Sequence, residues 1–293
     1  MDSSRLATIS RFFSSSVIQE MARKGKSPIF ARLASESGLA NSLSASQSVH
    51  SLYDTAFTLL EKEGNRDEYI YKSALTRKIL LGKHSLRSAS MLTEFRVGRC
   101  KADLVILNGT ATVYEVKSER DSLSRLEQQI IDYSKVFAQI YVIAGENHVD
   151  AVMSSVPKDV GVMRLNSRFQ ISRLREATGK PEFTSPAAIF DSIRTVEARM
   201  ILQYRGVSVP AVPNTELRSV LRKLFIELSP CAAHEGMVQV LKTTRNLLPL
   251  SDLVEKLPLS LQAAALSVPL RKLDHMRLVG AVNTRIEDAM AWA

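Results

Sequence analysis

The chain has 293 residues, with 39 Lys and Arg against 30 Asp and Glu, giving a formal charge of +9. Hydrophobic residues at 45% and charged residues at 24% are ordinary for a globular chain and exclude a collagen, a wholly disordered polymer and a multi-span membrane protein. Charged residues interrupt every apolar run before the roughly 18 residues a membrane helix needs, so no membrane partner is expected.

Cys100 and Cys231 are too few for a disulfide framework or a cysteine zinc site. They read as reduced thiols, and with no secretory signal the expected compartment is the cytoplasm. The positive charge fits a nucleic-acid binder or a merely solvated surface.

Residues 1–50 stand apart because thirteen of the fifty are serine, which suits a partly disordered arm with short helices near Ser16–Lys24 and Pro28–Ser35. A transit peptide is the other compositional reading. From Ser51 the pattern tightens. Leu52, Ala56, Leu59 and Leu60 recur at helical spacing, and a second helix is expected over Glu68–Leu81.

An α/β core follows. Strands are expected at Met91–Arg96, Ala102–Leu107, Thr112–Lys117, Ile140–Ala144 and Gly161–Leu165. Asn108-Gly109 marks a hairpin, and Asp121 or Ser122 can cap a helix carrying Leu126, Ile130, Tyr133 and Phe137. Beyond Arg173 the strand signals fade. Helices are expected over Pro186–Tyr204, Thr215–Leu228, Met237–Arg245, Ser251–Leu270 and Asp274–Ala293. Three segments result: an arm (1–50), an α/β core (51–175) and a helical C-terminal module (176–293). Thr215–Leu228 and Met237–Arg245 could form a helix-turn-helix charged by Arg218, Arg222 and Lys223, or a packing module or oligomer interface.

The chemistry centres on Asp103 and on Glu115-Val116-Lys117. Alternation along a strand puts Glu115 and Lys117 on one face. A two-residue Asn-Gly turn would set Asp103 across from Tyr114, whereas a three- or five-residue loop centred on Gly109 sets it across from Glu115. In the second register two carboxylates and an ammonium converge. Carboxylates are hard oxygen ligands suited to Mg²⁺ or Mn²⁺, and a neighbouring lysine can orient a water or neutralise charge on a phosphate. Asp103 and Glu115, with the Val116 carbonyl, are the candidate metal ligands.

Such a triad alone recurs by chance about once in every one or two chains of this length. The composite of EFRVGRCKADLVILNGTATVYEVKSERDSLSRLEQQIIDYSKVFAQIYVIAG is far more specific. It resembles the PD-(D/E)xK nuclease superfamily and, more narrowly, the bacterial sce7726 group. The group's hallmark is matched by Tyr114, Glu115, Lys117, Ser118, Arg120, Asp121, Leu123, Arg125, Leu126, Gln129 and Tyr133.

The resemblance implies a restriction-endonuclease-like mixed sheet flanked by helices and a nuclease dependent on Mg²⁺ or Mn²⁺, acting on DNA more than RNA. Asp103, Glu115, Lys117 and Gln129 would be catalytic. Glu68 or Glu94 would add a metal-site acid, and Arg99, Lys101, Arg125 and Tyr133 would contact nucleic acid. Two other readings remain: a catalytically silent binding module on the same fold, and a toxin or phage-defence effector. A homodimer or a protein partner through the C-terminal helices is a further expectation.

Overall fold

Alternating apolar residues and short turns fold the middle of the chain into a sheet, and helices cover the rest, in a computed structural model that describes residues 2–293. Five helices come first: α1 (Ser3–Ser10), α2 (Ser15–Lys24), α3 (Pro28–Ser37), α4 (Val49–Glu61) and α5 (Glu68–Leu75), the last running into a π-helical turn, Thr76–Leu80. Then follow β1 (Ser90–Val97), β2 (Cys100–Asn108), β3 (Thr110–Lys117), α6 (Leu126–Ser134), β4 (Gln139–Ala144), α7 (Val149–Ser155), β5 (Gly161–Leu165) and β6 (Ile171–Arg175). The chain continues through α8 (Pro186–Ser192), α9 (Thr195–Tyr204), α10 (Asn214–Ile226) and α11 (Pro230–Thr244). It ends in α12 (Ser251–Lys256), α13 (Gln262–Leu266), α14 (Lys272–Asn283) and α15 (Ile286–Met290).

The sheet order is β1-β2-β3-β4-β5-β6. β1, β2 and β3 are antiparallel neighbours, β3, β4 and β5 run parallel, and β6 closes the edge antiparallel to β5. This is the mixed sheet flanked by helices that the sequence led us to expect. The parallel steps need crossovers, which α6 and α7 supply. The order β1 to β3 is a meander, so the Glu-x-Lys strand sits inside the sheet with a neighbour on each side.

Two compact units divide the chain, and they differ from the three compositional segments. One holds the residues up to Gly82, Ser167–Phe169 and Leu247–Ala293; the other holds Lys83–Asn166 and Gln170–Asn246. In the first unit the serine-rich region is no loose arm. Phe12, Phe13 and Phe30 are buried among Tyr53, Phe57 and Tyr69, with Phe13 stacked on Tyr69 at 4.3 Å between ring centres. The serines stay at the helix surfaces and caps: the Ser27 hydroxyl accepts from the Phe30 N–H at the start of α3. The turn between α14 and α15 is pinned to the start of α4, where the Val49 N–H donates to the Thr284 carbonyl at 2.9 Å.

In the second unit Val105, Val113 and Val142 are fully buried in the sheet, α6, α8 and α11 pack against the strands, and α9 and α10 pack on α8 and α11 in the same core. α11 buries Ala233, Met237, Val238 and Leu241 there, so it is spent on the core and is not presented as a recognition helix. The C-terminal module therefore divides, α8–α11 with the sheet and α12–α15 with the N-terminal helices. Among the described residues no helix is long and apolar enough to cross a membrane.

His234, on α11, is 2% exposed, its Nε2 has no hydrogen-bond partner, and burial lowers its pKa to about 4 against slight opposition from Glu235. The unfolded chain takes up this proton near pH 6.5. Stability is therefore complete above that value and falls as the pH drops toward 4, by up to about 3 kcal/mol. Melting curves of wild type and His234→Gln should diverge over this window, with the wild type showing the steeper loss. Parallel pH profiles would mean that His234 does not titrate as a buried neutral group.

Candidate active site

The β2–β3 hairpin closes with Asn108 opposite Thr110 and Leu104 opposite Tyr114. Gly109 occupies the turn at φ 70°, a left-handed conformation that glycine adopts without steric cost. Of the two registers the sequence allows, this one carries Asp103 opposite Glu115. An Asp103 carboxylate oxygen, Oδ2, accepts from the Val116 N–H at 2.8 Å, which ties the two strands at that level.

On the other side of Asp103 the β1–β2 ladder pairs Thr93 with Leu104 and Phe95 with Ala102, leaving Glu94 opposite Asp103. Glu94 has φ 54°, rare outside glycine and asparagine, and the strand ladder is interrupted at this level. Glu94 and Asp103 each bring a carboxylate oxygen within 4.8 Å of the other. Glu94, Asp103 and Glu115 thus stand in a row across three strands.

Glu115 and Lys117 share a face, as strand alternation requires, and both are almost fully buried. The Lys117 ammonium donates to Glu115 Oε1 at 2.9 Å and to Gln129 Oε1 at 2.9 Å. Gln129 comes from α6, where Leu126 and Ile130 bind the helix to the sheet and turn Gln129 inward. Two of the three ammonium donors are used, and a third is left for a further acceptor.

Tyr133 lies one turn beyond Gln129. Its hydroxyl donates to Glu115 Oε2 at 2.8 Å and also lies 2.9 Å from the Lys101 carbonyl on β2. Burial first, and the Glu115 carboxylate second, push the phenol far above its ordinary range, so it stays a donor. Tyr133 is 0% exposed, which corrects its assignment as a nucleic-acid contact: it braces Glu115 from within the core.

The remaining expected residues fall in four places. Arg99 is exposed on the Gly98–Arg99 turn between β1 and β2, and Arg125 is the exposed N-cap residue of α6. Lys101 is exposed but lies 3.6 Å from the Glu94 carboxylate, so part of its charge is already answered. Glu68 opens α5 in the first unit and pairs there with Lys72 one turn on.

Asp121 does not cap α6. Its Oδ2 accepts from the Ser118 N–H and hydroxyl at 2.8 and 2.7 Å, closing the turn that leaves β3, and the helix begins only at Leu126.

Sequence reasoning missed Asp132. Its Oδ2 faces the Cys100 thiol at 3.5 Å, its Oδ1 takes Lys135, and a Cβ added at Gly98 would come within 3.6 Å of it. Asp132 thus holds the turn that carries Arg99. Burial, outweighed by the bonds from Lys135, Cys100 and Gln128, leaves its carboxyl below the usual range. Burial first, and Asp132 second, push the Cys100 thiol up, which disfavours its thiolate.

The donor set fits a small hard cation. Two carboxylates lie at the separation one ion could span at about 2.0–2.6 Å from each oxygen, and the half-buried setting of Asp103 leaves room for water ligands.

Comparison with known proteins adds a lineage. Protein cII of Enterobacteria phage P4 is 32% identical over 90 residues, which are 30% of this chain and 34% of that protein. The chain thus matches about a third of that curated relative's length. A solved protein of unknown function from Silicibacter pomeroyi is 17% identical, with a TM-score of 0.29, over 41% of this chain and 81% of that one. The family model of bacteriophage P4 protein cII matches residues 61–246, more than half of the sequence and the whole of the sheet. The chain therefore belongs to the bacteriophage P4 cII protein family.

Proposed function

We propose that the chain is a divalent-metal-dependent nuclease of the PD-(D/E)xK type, hydrolysing phosphodiester bonds, with DNA favoured over RNA by the sequence resemblance. The reading places it in the cytoplasm. The observation that carries it is the buried Lys117 ammonium, fixed between Glu115 and Gln129 at 2.9 Å each, beside the row of acids. A lysine desolvated in this way and held by a glutamine has more order than a surface ion pair requires.

Asp103 and Glu94, with Glu115 and the Val116 carbonyl, would hold Mg²⁺ or Mn²⁺. When bound, the ion supplies Lewis acidity toward a phosphate oxygen and lowers the pKa of its water. Lys117 orients the attacking water and offsets the negative charge that grows on the phosphate. Gln129 fixes the ammonium, and Tyr133 keeps Glu115 from turning toward it with both oxygens. The water oxygen would bond to phosphorus and give up a proton to solvent, the ester P–O bond would break, and the leaving oxygen would take a proton from solvent. Arg99 and Arg125, both exposed, would grip the flanking phosphates.

Substitutions must respect the burial. Removing either partner of the Glu115–Lys117 pair leaves a buried charge unanswered, at about 3–5 kcal/mol. Asp103→Asn, which lies outside that pair, is therefore the cleaner probe, and Glu115→Gln, which keeps the shape of the side chain but not its charge, is read together with its melting curve. On a mixture of duplex, single-stranded DNA and RNA with Mn²⁺ or Mg²⁺, wild type should cut, EDTA should stop it, and each variant should lose at least about 100-fold. Asp103→Asn cutting at the wild-type rate would remove Asp103 from the chemistry.

A silent binding module is favoured by one observation: both Glu115 oxygens are already engaged within the protein. Melting curves separate the two readings. Mg²⁺ or Mn²⁺ should raise the melting temperature of wild type and not of Asp103→Asn. Salt-sensitive nucleic-acid binding, with no metal shift and no cutting, would establish the silent module instead.

A further inference from the structure

Arg96 of β1 stands directly across from Lys101 of β2, and both are exposed. Cross-strand neighbours share a face of the sheet, with about 5 Å between their Cβ atoms. Contacts on either side fix which face this is. Cys100, the position before Lys101, turns its thiol to Asp132 of α6, so Lys101 and Arg96 point away from that helix. Glu94 is on their side, because its carboxylate lies 3.6 Å from the Lys101 ammonium. Asp103 joins them, with a carboxylate oxygen within 4.8 Å of one on Glu94.

With Arg99 on the adjoining turn, this face sets three cations against two carboxylates. Lys101 is answered by Glu94, and Arg99 already has a place in the proposed grip on phosphate. Arg96 makes no ion pair and no side-chain hydrogen bond among the described residues. Opposite charges favour a cross-strand pair and like charges oppose it, so a glutamate at position 96 would suit the fold better than arginine does. β1 is the outermost strand, and a charged side chain guards such an edge, but a charge of either sign does that. A positive charge is what an anion needs. Along β2, Lys101 lies two residues and about 7 Å from Asp103, close to the step between neighbouring phosphates of a polynucleotide strand.

We propose that Arg96, paired with Lys101, binds the backbone phosphate next to the one that the acid row engages. The inference rests on the nucleic-acid reading of that row and extends it to a residue on β1. The guanidinium offers a planar fork to the two free oxygens of a phosphodiester, and the Lys101 ammonium adds a point charge from the neighbouring strand.

Fluorescence anisotropy of a labelled DNA duplex, with EDTA present so that no strand is cut, measures binding apart from chemistry. Arg96→Glu should weaken binding at least tenfold at about 50 mM salt, and Arg96→Ala should flatten the slope of log affinity against log salt by about 1. Lys158 is an exposed cation at the other end of the sheet, ahead of β5, and Lys158→Ala should change neither. Arg96→Glu should also melt at or above the temperature of wild type, since it sets a carboxylate across from Lys101. That melting result with binding unchanged would make Arg96 an edge guard and overturn the proposal. An equal loss in Lys158→Ala would overturn it by making Arg96 one of many interchangeable surface charges. Inorganic phosphate that raises the melting temperature of wild type but not of Arg96→Ala, with duplex binding equal in both, would assign a free anion and overturn it too. Cutting is scored separately with Mn²⁺. Wild type that binds through Arg96 and never cuts upholds the contact and removes the nuclease, whereas cutting and binding indifferent to Arg96→Glu remove the contact alone. Wild type that binds no duplex removes both.

Discussion

The buried pair of Glu115 and Lys117 is the constraint around which the second unit is arranged. Taking a carboxylate and an ammonium out of water costs several kcal/mol per ion, and their attraction repays this only if the remaining donors and acceptors are met. α6 meets them. Gln129 takes one ammonium proton and Tyr133 gives its own to the second carboxylate oxygen, two residues one turn apart on the helix matched to two on alternate positions of β3. Tyr133 also touches the Lys101 carbonyl, so the same side chain reaches from β3 to β2. Helix, central strand and neighbouring strand are thereby fixed in one register by polar contacts inside an apolar core.

Register is the second constraint, and it rests on one residue. Had Asn108-Gly109 closed as a two-residue turn, β2 would have slipped by one position and Asp103 would stand across from Tyr114. The single-glycine closure keeps Asp103 level with Glu115, and the Val116 N–H bond to Asp103 seals it. On the far side the left-handed Glu94 breaks the ladder at the same level. Strain in a strand is costly for a residue with a side chain, and its placement beside Asp103 is where a site would store it.

The strands were legible because their apolar runs are short, β-branched and bounded by turns, and Gly161–Leu165 was placed to the residue. β6 was missed because Ile171–Arg175 reads ISRLR, a polar edge strand whose charged residues look like loop. α11 starts at Pro230, seven residues before its apolar run, since proline suits the first helical turn and punctuation was read as a break. The N-terminal helices were concealed by composition. Thirteen serines dominate the count, while burial is decided by Ile9, Phe12, Val17, Met21 and Phe30. In the site, the shared face of Glu115 and Lys117 was readable from strand alternation, the level of Asp103 was open until the turn was known, and Gln129 was pointed to by the family resemblance. Tyr133 was misplaced because a tyrosine on a helix gives no sign of whether its hydroxyl meets water or a carboxylate. Asp132 was missed because its role depends on a turn thirty residues earlier in the chain.

Polarity across the row of acids explains how one strand level could both hold a charge and meet a substrate. Glu115 and Lys117 are buried, and both Glu115 oxygens are engaged, so the position of the pair is set from inside the protein. Asp103 is half-buried and Glu94 exposed, so this end of the row can take a hydrated cation without expelling all of its water. Arg125 is close enough to act electrostatically on the Cys100 thiol, which puts the start of α6 beside the turn carrying Arg99. The exposed cations thus gather on the open side of the same strands. A long anionic polymer approaching from there would meet arginine first, the half-buried acids next and the fixed ammonium last. On the proposed reading, that order would steer a phosphate by long-range charge before any short-range geometry is asked of it.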